Sequence, residues 1–270
     1  MFQEQLADFL RDGPRSGVTC LAGIDVGPTP ATPADPLDAV GLSPMSEHAV
    51  LEAARCLGEP VGYLPEQAGA LVQNLIPTAS GADHQTSTSS RVTLAFHTET
   101  AFHPHLPSYL VLLCLRGDPA AATTWCTVDD AVADLDRAVV ETLWQPRFRC
   151  GTDESFTGGL PTRLGPPRPI MWGDPASPSW TFDADLMVGI DLEADRALAE
   201  LAAGVERQQR SVVLEAGDLM VIDNALVVHG RSPFPARYDG TDRWLQRAFV
   251  VPDLSVIDER DGRILTTAFA

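Results

Sequence analysis

The fold class is decided by residues 212–251, VVLEAGDLMVIDNALVVHGRSPFPARYDGTDRWLQRAFVV. Four short apolar runs lie within this stretch, with turn-forming residues between them: VVLEAG (212–217), DLMVIDN (218–224), ALVVHG (225–230) and RWLQRAFVV (243–251). Short β-branched runs that alternate with turn residues are typical of the strands of a β barrel or a β sandwich. The stretch therefore predicts an all-β barrel or sandwich at the centre of the fold.

The same pattern extends toward the N-terminus. Further strands are expected in VTCLAGI (18–24), ALVQNLIP (70–77), RVTLAFHTE (91–99), SYLVLLCLRG (108–117) and TTWCTV (123–128). Apolar residues at helical spacing predict helices over residues 2–12, 46–58, 129–144 and 192–210. Residues 150–168 are rich in glycine and proline and predict a long loop, of the kind that often covers a site. Because no repeat or linker interrupts the pattern, residues 1–270 are predicted to form one domain, mainly β with flanking helices.

The composition excludes several classes of function. The net charge of −18 and the sequence pI near 4.5 argue against nucleic acid and anionic lipid as partners. All 19 basic residues are arginines, so Schiff-base and P-loop chemistry, which need a lysine, are excluded. The five cysteines form no CxxC pair, and no apolar run reaches the roughly 20 residues that span a bilayer. We therefore expect a cytoplasmic protein with no signal peptide and no disulfide scaffold.

Two histidines and a glutamate stand at the ends of predicted strands. His97 and Glu99 are two positions apart, so on a strand their side chains project from the same face. His229 lies at the end of a later strand, in ALVVHG. Two imidazoles and one carboxylate on one face of a metal form the ligand set of non-haem Fe(II) oxygenases. The pattern predicts a metal site at His97, Glu99 and His229.

The residues alone leave two alternatives open. A zinc hydrolase can also bind its metal through two histidines and a glutamate. His103 and His105 form a second HxH pair, although Pro104 between them interrupts a regular strand and favours a packing role. The choice between an oxygenase and a hydrolase therefore depends on the residues that follow His229.

Those residues include several arginines in the run HGRSPFPARYDGTDRWLQR. Arg243 and Arg247 are four positions apart, so on a strand they share one face, which is predicted to line the same cavity as His229. Two inward arginines in a chain of net charge −18 need carboxylate partners. Those partners can be the carboxylates of a substrate and a co-substrate, or acidic residues of the protein itself.

The motifs together resemble a known family. They lie in residues 96–117, FHTETAFHPHLPSYLVLLCLRG, and residues 217–247, GDLMVIDNALVVHGRSPFPARYDGTDRWLQR. The HTE motif, the VVHGRSPF motif and the distal arginines occur in order, and the chain resembles the clavaminate synthase-like Fe(II)/2-oxoglutarate-dependent dioxygenases of the taurine dioxygenase superfamily over residues 60–250. This branch includes hydroxylases of free L-arginine, L-asparagine and L-lysine. The resemblance implies a double-stranded β-helix, a cupin-like jelly roll, in agreement with the predicted strands.

The resemblance also implies individual roles. The three predicted metal ligands match the iron ligands of the family. Arg243 matches the arginine that binds the distal carboxylate of 2-oxoglutarate, with Thr124, or Thr123 as the second choice, beside it. Arg247 matches the arginine that contacts the carboxylate of the substrate. The other implied substrate contacts are Asp183 first and Asp185 second for the side chain, and Ser87, Glu66 and Gln67 for the amino-acid backbone.

The activity that the resemblance implies is hydroxylation of an unactivated C–H bond in a free amino acid with a basic or amide side chain, as part of natural-product or antibiotic biosynthesis. Fe(II), 2-oxoglutarate and O2 are the implied cofactor and co-substrates. The alternatives are ring closure or desaturation of another small metabolite, and a jelly-roll binding protein without catalysis. The resemblance also implies that the protein is not a halogenase, because halogenating relatives have no carboxylate at the position that matches Glu99. The chain is short for the family, mainly in its N-terminal part.

Overall fold

The computed structural model describes residues 2–12, 16–157, 161–255 and 257–265. Its helices are α1 (Phe2–Asp12), α2 (Pro44–Leu57), α3 (Val128–Val132), α4 (Arg137–Leu143), α5 (Glu154–Thr157) and α6 (Leu192–Gln208). Its strands are β1 (Val18–Leu21), β2 (Glu59–Tyr63), β3 (Gln73–Leu75), β4 (Leu94–His97), β5 (Tyr109–Arg116), β6 (Ala122–Thr127), β7 (Phe148–Cys150), β8 (Met171–Asp174), β9 (Ser177–Trp180), β10 (Met187–Gly189), β11 (Arg210–Val213), β12 (Leu219–Asp223), β13 (Val227–Arg231), β14 (Trp244–Val251), β15 (Glu259–Arg260) and β16 (Arg263–Ile264).

Most strands belong to two largely antiparallel sheets that face each other. The larger sheet has eight strands in the order β1-β12-β5-β14-β2-β16-β15, with β3 also paired to β14. The smaller sheet has four strands in the order β11-β6-β13-β4. Leu112 and Phe249 of the larger sheet pack with Val227 of the smaller sheet in one buried apolar cluster. The chain is therefore mainly β, as predicted, and part of its core lies between the two sheets.

Helices cover the outer faces of both sheets. Val50 of α2 packs with Val111 of the larger sheet, and Leu201 of α6 packs with Val228 of the smaller one. Because side chains alternate along β13, Val228 points toward α6 whereas His229 points between the sheets. None of the helices in the described ranges has the length and apolar character needed to cross a membrane.

The prediction of one continuous helix over residues 129–144 is wrong. The segment forms two helices, α3 and α4, which are separated by a turn. The hydroxyl of Thr127 accepts the N–H of Asp130 at 3.1 Å and caps α3. Asp136 has an extended backbone, with ψ of 141°, and stands at the N-cap of α4. Aspartate and threonine favour such capping positions over a helix interior, so the apolar periodicity alone overestimates the length of the helix.

The sequence pattern does not predict β2. Its segment EPVGY contains a proline and a glycine, which are depleted in strands. The strand forms because Val61 pairs with Phe249 of the long strand β14. A tertiary pairing thus overrides a weak local preference, and because the pairing is antiparallel it brings the loop that follows β2 next to Arg247 in the first half of β14.

Candidate active site

Three of the predicted residues meet between β4 and β13. His97 is the direct antiparallel partner of His229, so both imidazoles project from the same face, with ring centroids 4.4 Å apart. A carboxylate oxygen of Glu99 lies 3.5 Å from Nε2 of His229. One ligand atom from each of the three residues lies within 4.8 Å of the others. The group is close enough to hold one metal ion.

Hydrogen bonds to the main chain hold Glu99 in place beyond the end of β4. The side-chain amide of Asn224 accepts the N–H of Glu99 at 2.8 Å and donates to its carbonyl at 3.2 Å. The hydroxyl of Thr98 accepts the N–H of Phe182 at 3.0 Å. Asn224 lies in the turn that leads into β13, so the same hairpin carries His229 and fixes the main chain of Glu99.

The surroundings of the two histidines keep them oriented for metal binding. Burial lowers the pKa of His229 to about 4, so its imidazole is neutral. Nδ1 of His97 lies 2.8 Å from the carbonyl of Ala95. Because a carbonyl only accepts, Nδ1 carries the proton and Nε2 keeps the lone pair that a metal requires.

A Cβ on Gly230 would lie 2.5 Å from the carbonyl oxygen of Leu94, so glycine is needed for β4 to approach β13 here.

Glu99 is ionised despite its burial. Burial by itself raises its pKa, but the charge of Arg247 and the hydrogen bond with His229 bring the value down to about 2. Nη1 of Arg247 donates to the carboxylate at 3.0 Å. Two imidazoles and one carboxylate are a donor set that fits a divalent transition metal such as Fe(II).

The second histidine pair takes no part in this group. His103 is fully buried and packs edge-on against Tyr63, with ring centroids 4.8 Å apart. The carbonyl of His105 accepts the hydroxyl of Tyr63 at 2.6 Å. The packing role that Pro104 favours is therefore confirmed for this segment.

A pocket opens in front of His97, Glu99 and His229, which together form the metal-ligand group. Its polar and charged lining comes from loops and strands that are far apart in sequence. Besides the metal-ligand group, it includes Glu66, Gln85, Ser87, Thr123, Asp153, Ser155, Asp183, Asp185, Arg231, Arg243 and Arg247. A cavity with so many opposite charges suits a small zwitterionic ligand better than an apolar one.

Arg243 is a buried cation in the wall of this pocket. It directly precedes β14 and is only 7% exposed. Within the described residues, no hydrogen bond or ion pair reaches its guanidinium group. Burial lowers the pKa of Arg243 to about 10, although the charge of Asp118 acts in the opposite direction, and this reflects the cost of burying a cation without a direct partner. An anionic ligand beside Arg243 removes that cost.

Arg247, in contrast, is paired with acidic residues of the protein, which is one of the two alternatives that the sequence leaves open. It donates to Glu99 at 3.0 Å and lies 3.4 Å from a carboxylate oxygen of Glu66. Its Nε donates to the side-chain oxygen of Gln73 at 3.0 Å, and its guanidinium lies 4.3 Å from the ring centroid of Phe249. Because Arg247 also lines the pocket, a substrate carboxylate would meet it among these neighbours.

The two candidate threonines point in opposite directions. Thr123 is the cross-strand partner of Arg231, whereas Thr124 is the partner of Gly230. Adjacent side chains on a strand face opposite sides, and Thr123 lines the pocket while Thr124 does not. The placement of Thr124 in the pocket is therefore corrected by one residue, to Thr123.

Asp183 and Asp185 both reach the pocket. Asp183 is buried, forms an antiparallel bridge with His97, and its Oδ1 accepts the N–H groups of Asp185 at 2.9 Å and Leu186 at 2.8 Å. Burial raises the pKa of Asp183, against the influence of His97. Asp185 is exposed at the rim. The more buried Asp183 is therefore the better placed of the two to contact an enclosed ligand.

Of the three residues predicted to contact the amino-acid backbone, two line the pocket. Ser87 and Glu66 contribute to the wall, whereas Gln67 does not. The side-chain amide of Gln67 accepts the N–H of Asn74 at 2.9 Å and donates to its carbonyl at 3.0 Å. These two hydrogen bonds attach the turn that contains Glu66 to β3. The prediction that Gln67 lines the pocket is therefore wrong, because its side chain is directed at β3 instead.

The pocket also contains residues that the sequence pattern does not single out. Asp153 and Ser155 enter from the start of α5, and Oδ1 of Asp153 accepts the N–H and the hydroxyl of Ser155 at 2.8 and 2.6 Å. Gln85 enters from the polar loop before β4. The only sequence feature that points to Asp153 is the prediction of a long loop over residues 150–168.

Comparison with known proteins places this geometry in a family. The family model described as taurine catabolism dioxygenase TauD, TfdA family matches residues 178–249. L-asparagine oxygenase of Streptomyces coelicolor is 36% identical over an alignment of 285 positions, gaps included, which covers 98% of this chain and 81% of that protein. The chain belongs to the clavaminate synthase-like Fe(II)/2-oxoglutarate-dependent dioxygenases.

Two further comparisons agree with this assignment. Enduracididine beta-hydroxylase of Streptomyces hygroscopicus is 34% identical to this dioxygenase over an alignment of 287 positions, gaps included, which covers 95% of this chain and 82% of that protein. The crystal structure of the non-heme iron oxygenase OrfP in complex with Fe, succinate and (3S)-hydroxy-L-Arg superposes with a TM-score of 0.84 at 32% identity, covering 98% of this chain and 85% of that one. Membership of the dioxygenase family decides for the oxygenase interpretation and against a zinc hydrolase.

Proposed function

We propose that this dioxygenase hydroxylates an unactivated C–H bond of a free amino acid with a basic or amide side chain. The proposal is carried by the charges around the metal-ligand group, where the unpaired cation of Arg243 and the carboxylates of Asp153 and Asp183 line one pocket. Oδ1 of each aspartate accepts hydrogen bonds within its own turn, and neither side chain has an ion-pair partner among the described residues. The pocket therefore offers separate contacts to an anionic co-substrate and a cationic substrate.

The proposal extends to the architecture of the whole chain. We infer a double-stranded β-helix, or jelly roll, formed by the two facing sheets, with residues 1–270 as one domain. The similarity to the OrfP structure over 98% of the chain supports this interpretation.

The metal and the co-substrate are assigned to one end of the pocket. His97, Glu99 and His229 would hold Fe(II), and Arg243 with Thr123 would bind the distal carboxylate of 2-oxoglutarate through a planar, bidentate guanidinium contact. When bound, iron and 2-oxoglutarate together activate O2 for attack on a C–H bond. The protein's own contribution is to hold both reactants in fixed positions and to exclude water from the buried group.

The threonine assignment can be tested with two adjacent valine variants. Thr123→Val removes the hydroxyl at nearly constant volume, and we expect the KM for 2-oxoglutarate to rise about tenfold, within the effect of one hydrogen bond to a charged group. Thr124→Val is the matched control, because Thr124 faces away from the pocket, and its KM is expected to stay at the wild-type value. A larger effect of Thr124→Val would return the role to Thr124.

The substrate is assigned to the part of the pocket where Arg247 adjoins Glu99 and Asp183 adjoins His97. Arg247 would receive the α-carboxylate, while Glu66 and Ser87 would contact the α-amino group. Asp183, with Asp185 as the second choice, would bind the polar end of the side chain. Since a buried carboxylate without a partner is costly, Asp183 favours a guanidinium or ammonium group over an amide, although an amide can also donate a hydrogen bond to it.

The role of Asp183 can be tested by Asp183→Asn. The amide keeps an Oδ1 that can accept the two turn N–H groups, so this change removes the charge and leaves the turn intact. We expect kcat/KM for a cationic amino acid such as L-arginine or L-lysine to fall at least about tenfold. Decarboxylation of 2-oxoglutarate without substrate, measured as succinate, is expected to change little.

Asp223→Asn is the matched control for this experiment. Asp223 is half-buried and caps a turn by accepting the N–H of Ala225 at 2.9 Å, but it does not line the pocket. If Asp183→Asn leaves the substrate profile at that of Asp223→Asn while Asp185→Asn changes it, the contact belongs to Asp185. If none of the three variants changes the profile, the proposal of a basic or amide side chain fails.

The proposed function itself is tested by succinate release with Fe(II) and 2-oxoglutarate, screened across the twenty amino acids with ornithine and citrulline. We expect stimulation by one or a few members with a basic or amide side chain, and a product that has gained one oxygen atom. A product that has lost two hydrogens would indicate desaturation or ring closure instead. No stimulation by any of them would overturn the proposal of a free amino acid as substrate.

A further inference from the structure

A buried glutamine lies behind the residues assigned to the amino-acid backbone. Gln73 is 1% exposed and is the cross-strand partner of Arg247 in the pairing of β3 with β14. Its Oε1 accepts N–H groups from Nε of Arg247 at 3.0 Å and from Nη2 at 2.5 Å. Its Nε2 lies 3.3 Å from a carboxylate oxygen of Glu66 and donates to it. One amide therefore contacts both Arg247 and Glu66 without lining the pocket itself.

The contacts of Gln73 fix the orientation of the arginine. It engages the Nε edge of the guanidinium, and Phe249 supports the planar face at 4.3 Å. Nη1 is then directed at Glu99. A guanidinium held by one edge and one face cannot rotate freely, so its Nη1 and Nη2 groups keep a constant direction.

The neutrality of the amide is as important as its position. Arg247 already has the carboxylates of Glu66 and Glu99 within 3.4 Å and 3.0 Å. A third carboxylate at position 73 would add negative charge behind Arg247 and repel an incoming carboxylate. An amide oxygen accepts the same hydrogen bonds and adds no formal charge, so the guanidinium stays attractive to an anion.

We propose that Gln73 is a positioning residue, which holds Arg247 and Glu66 in the arrangement that receives the α-carboxylate and the α-ammonium group of the substrate. The inference rests on the proposed function, in which these two residues bind the amino-acid backbone. Gln73 acts through them and selects zwitterionic α-amino acids over amines or amides that lack the carboxylate.

The test compares Gln73→Met with wild type on matched ligands. The probes are the basic or amide amino acid that the wild-type enzyme oxidises fastest in the screen, its α-carboxamide, and the corresponding amine without the carboxylate. The affinities are measured by calorimetry without O2, in the presence of Fe(II) and 2-oxoglutarate. We expect affinity for the amino acid to fall by about ten- to a hundredfold, the effect of a hydrogen bond to a charged group. Affinity for the carboxamide and the amine should change much less, so the preference for the amino acid over these two ligands should be largely lost.

Gln246→Met is the matched control. Gln246 is a fully buried glutamine adjacent to Arg247, but its amide lies 3.3 Å from Asn74 Oδ1 and it does not line the pocket. We expect this variant to keep the discrimination between amino acid and carboxamide. Affinity for 2-oxoglutarate should be unchanged in both variants, because Arg243 belongs to a different part of the pocket.

Gln73→Glu keeps the test decisive if Gln73→Met does not fold. Glutamate has nearly the same shape and can accept from Arg247, but it places a third carboxylate near Glu66 and Glu99. We expect it to weaken binding of the amino acid at least tenfold and to spare the amine without a carboxylate. Wild-type discrimination in a folded Gln73 variant, or its equal loss in Gln246→Met, would overturn the role of Gln73. If the wild-type enzyme binds none of the amino acids, it is the proposed function that fails.

Discussion

His229→Ala is expected to abolish hydroxylation and iron retention. The alanine removes one of the three proposed protein donors, and even the loss of an outer partner of a metal ligand typically costs about ten- to a hundredfold in affinity. We therefore expect iron binding to weaken by more than about a hundredfold. The measurement is the iron content of protein loaded without O2 and passed through gel filtration, together with the visible charge-transfer band formed with Fe(II) and 2-oxoglutarate. His97→Ala is expected to give the same result.

His105→Ala serves as the control for this prediction. His105 belongs to the second HxH pair, and its imidazole lies outside the metal-ligand group. We expect this variant to retain iron and the charge-transfer band. Normal iron content in His97→Ala or His229→Ala, at ordinary iron concentration, would refute the assignment of the three ligands, and iron loss in His105→Ala alone would move the site to the second pair.

Arg243→Lys is expected to weaken 2-oxoglutarate binding by about ten- to a hundredfold. Lysine keeps the positive charge but loses the planar fork that binds a carboxylate through two parallel hydrogen bonds, and a hydrogen bond to a charged group is worth roughly 1.5–3 kcal/mol. The affinity for the amino-acid substrate should fall much less. The measurement is the KM for 2-oxoglutarate beside the KM for the substrate, and an unchanged value for 2-oxoglutarate would move the role to another arginine of the pocket, such as Arg231.

Arg243→Met separates binding from stability. Because Arg243 is buried without an ion-pair partner, replacing it with an apolar side chain is expected to leave the temperature of thermal unfolding unchanged or to raise it when 2-oxoglutarate is absent. Wild-type protein at a ligand concentration of one hundred times Kd should gain about 2.7 kcal/mol in the free energy of unfolding. Arg243→Met should gain little of this. A strongly destabilised Arg243→Met protein would indicate a structural role for the arginine instead.

The metal-ligand group could be predicted because it depends on local geometry. His97 and Glu99 stand two positions apart at the end of a predicted strand, and His229 ends another predicted strand, so both strands present their ligands at their ends. The order of the motifs matches that of the family and joins His229 to the other two residues. The antiparallel pairing of His97 with His229 agrees with this grouping. Motif spacing is written in the sequence. The alternation argument does not account for Glu99, because β4 ends at His97 and hydrogen bonds with Asn224 hold Glu99 in the turn that follows.

The placement of Thr123 and Gln67 could not be predicted in the same way. Whether Thr123 or Thr124 faces the pocket depends on the register of β6 against β13, and a shift of one residue reverses every side chain. Gln67 is adjacent to Glu66 in sequence, yet its side chain binds the main chain of Asn74 and leaves the pocket wall to its neighbour. Register and hydrogen bonding in turns are set by contacts between segments, which no local pattern contains.

The sequence by itself determined the β-rich class of the fold, the three metal-ligand candidates and the pair of arginines, because alternation, composition and spacing along one segment are enough for each. Only the tertiary structure decided what each arginine meets. Arg243 and Arg247 share one segment, but Arg243 has no ion-pair partner among the described residues, whereas Arg247 is held by Gln73, Glu66 and Glu99. The physical reason is that the charge state of a buried group depends on which side chains from distant segments fill the space around it, and that is fixed when the two sheets pack together.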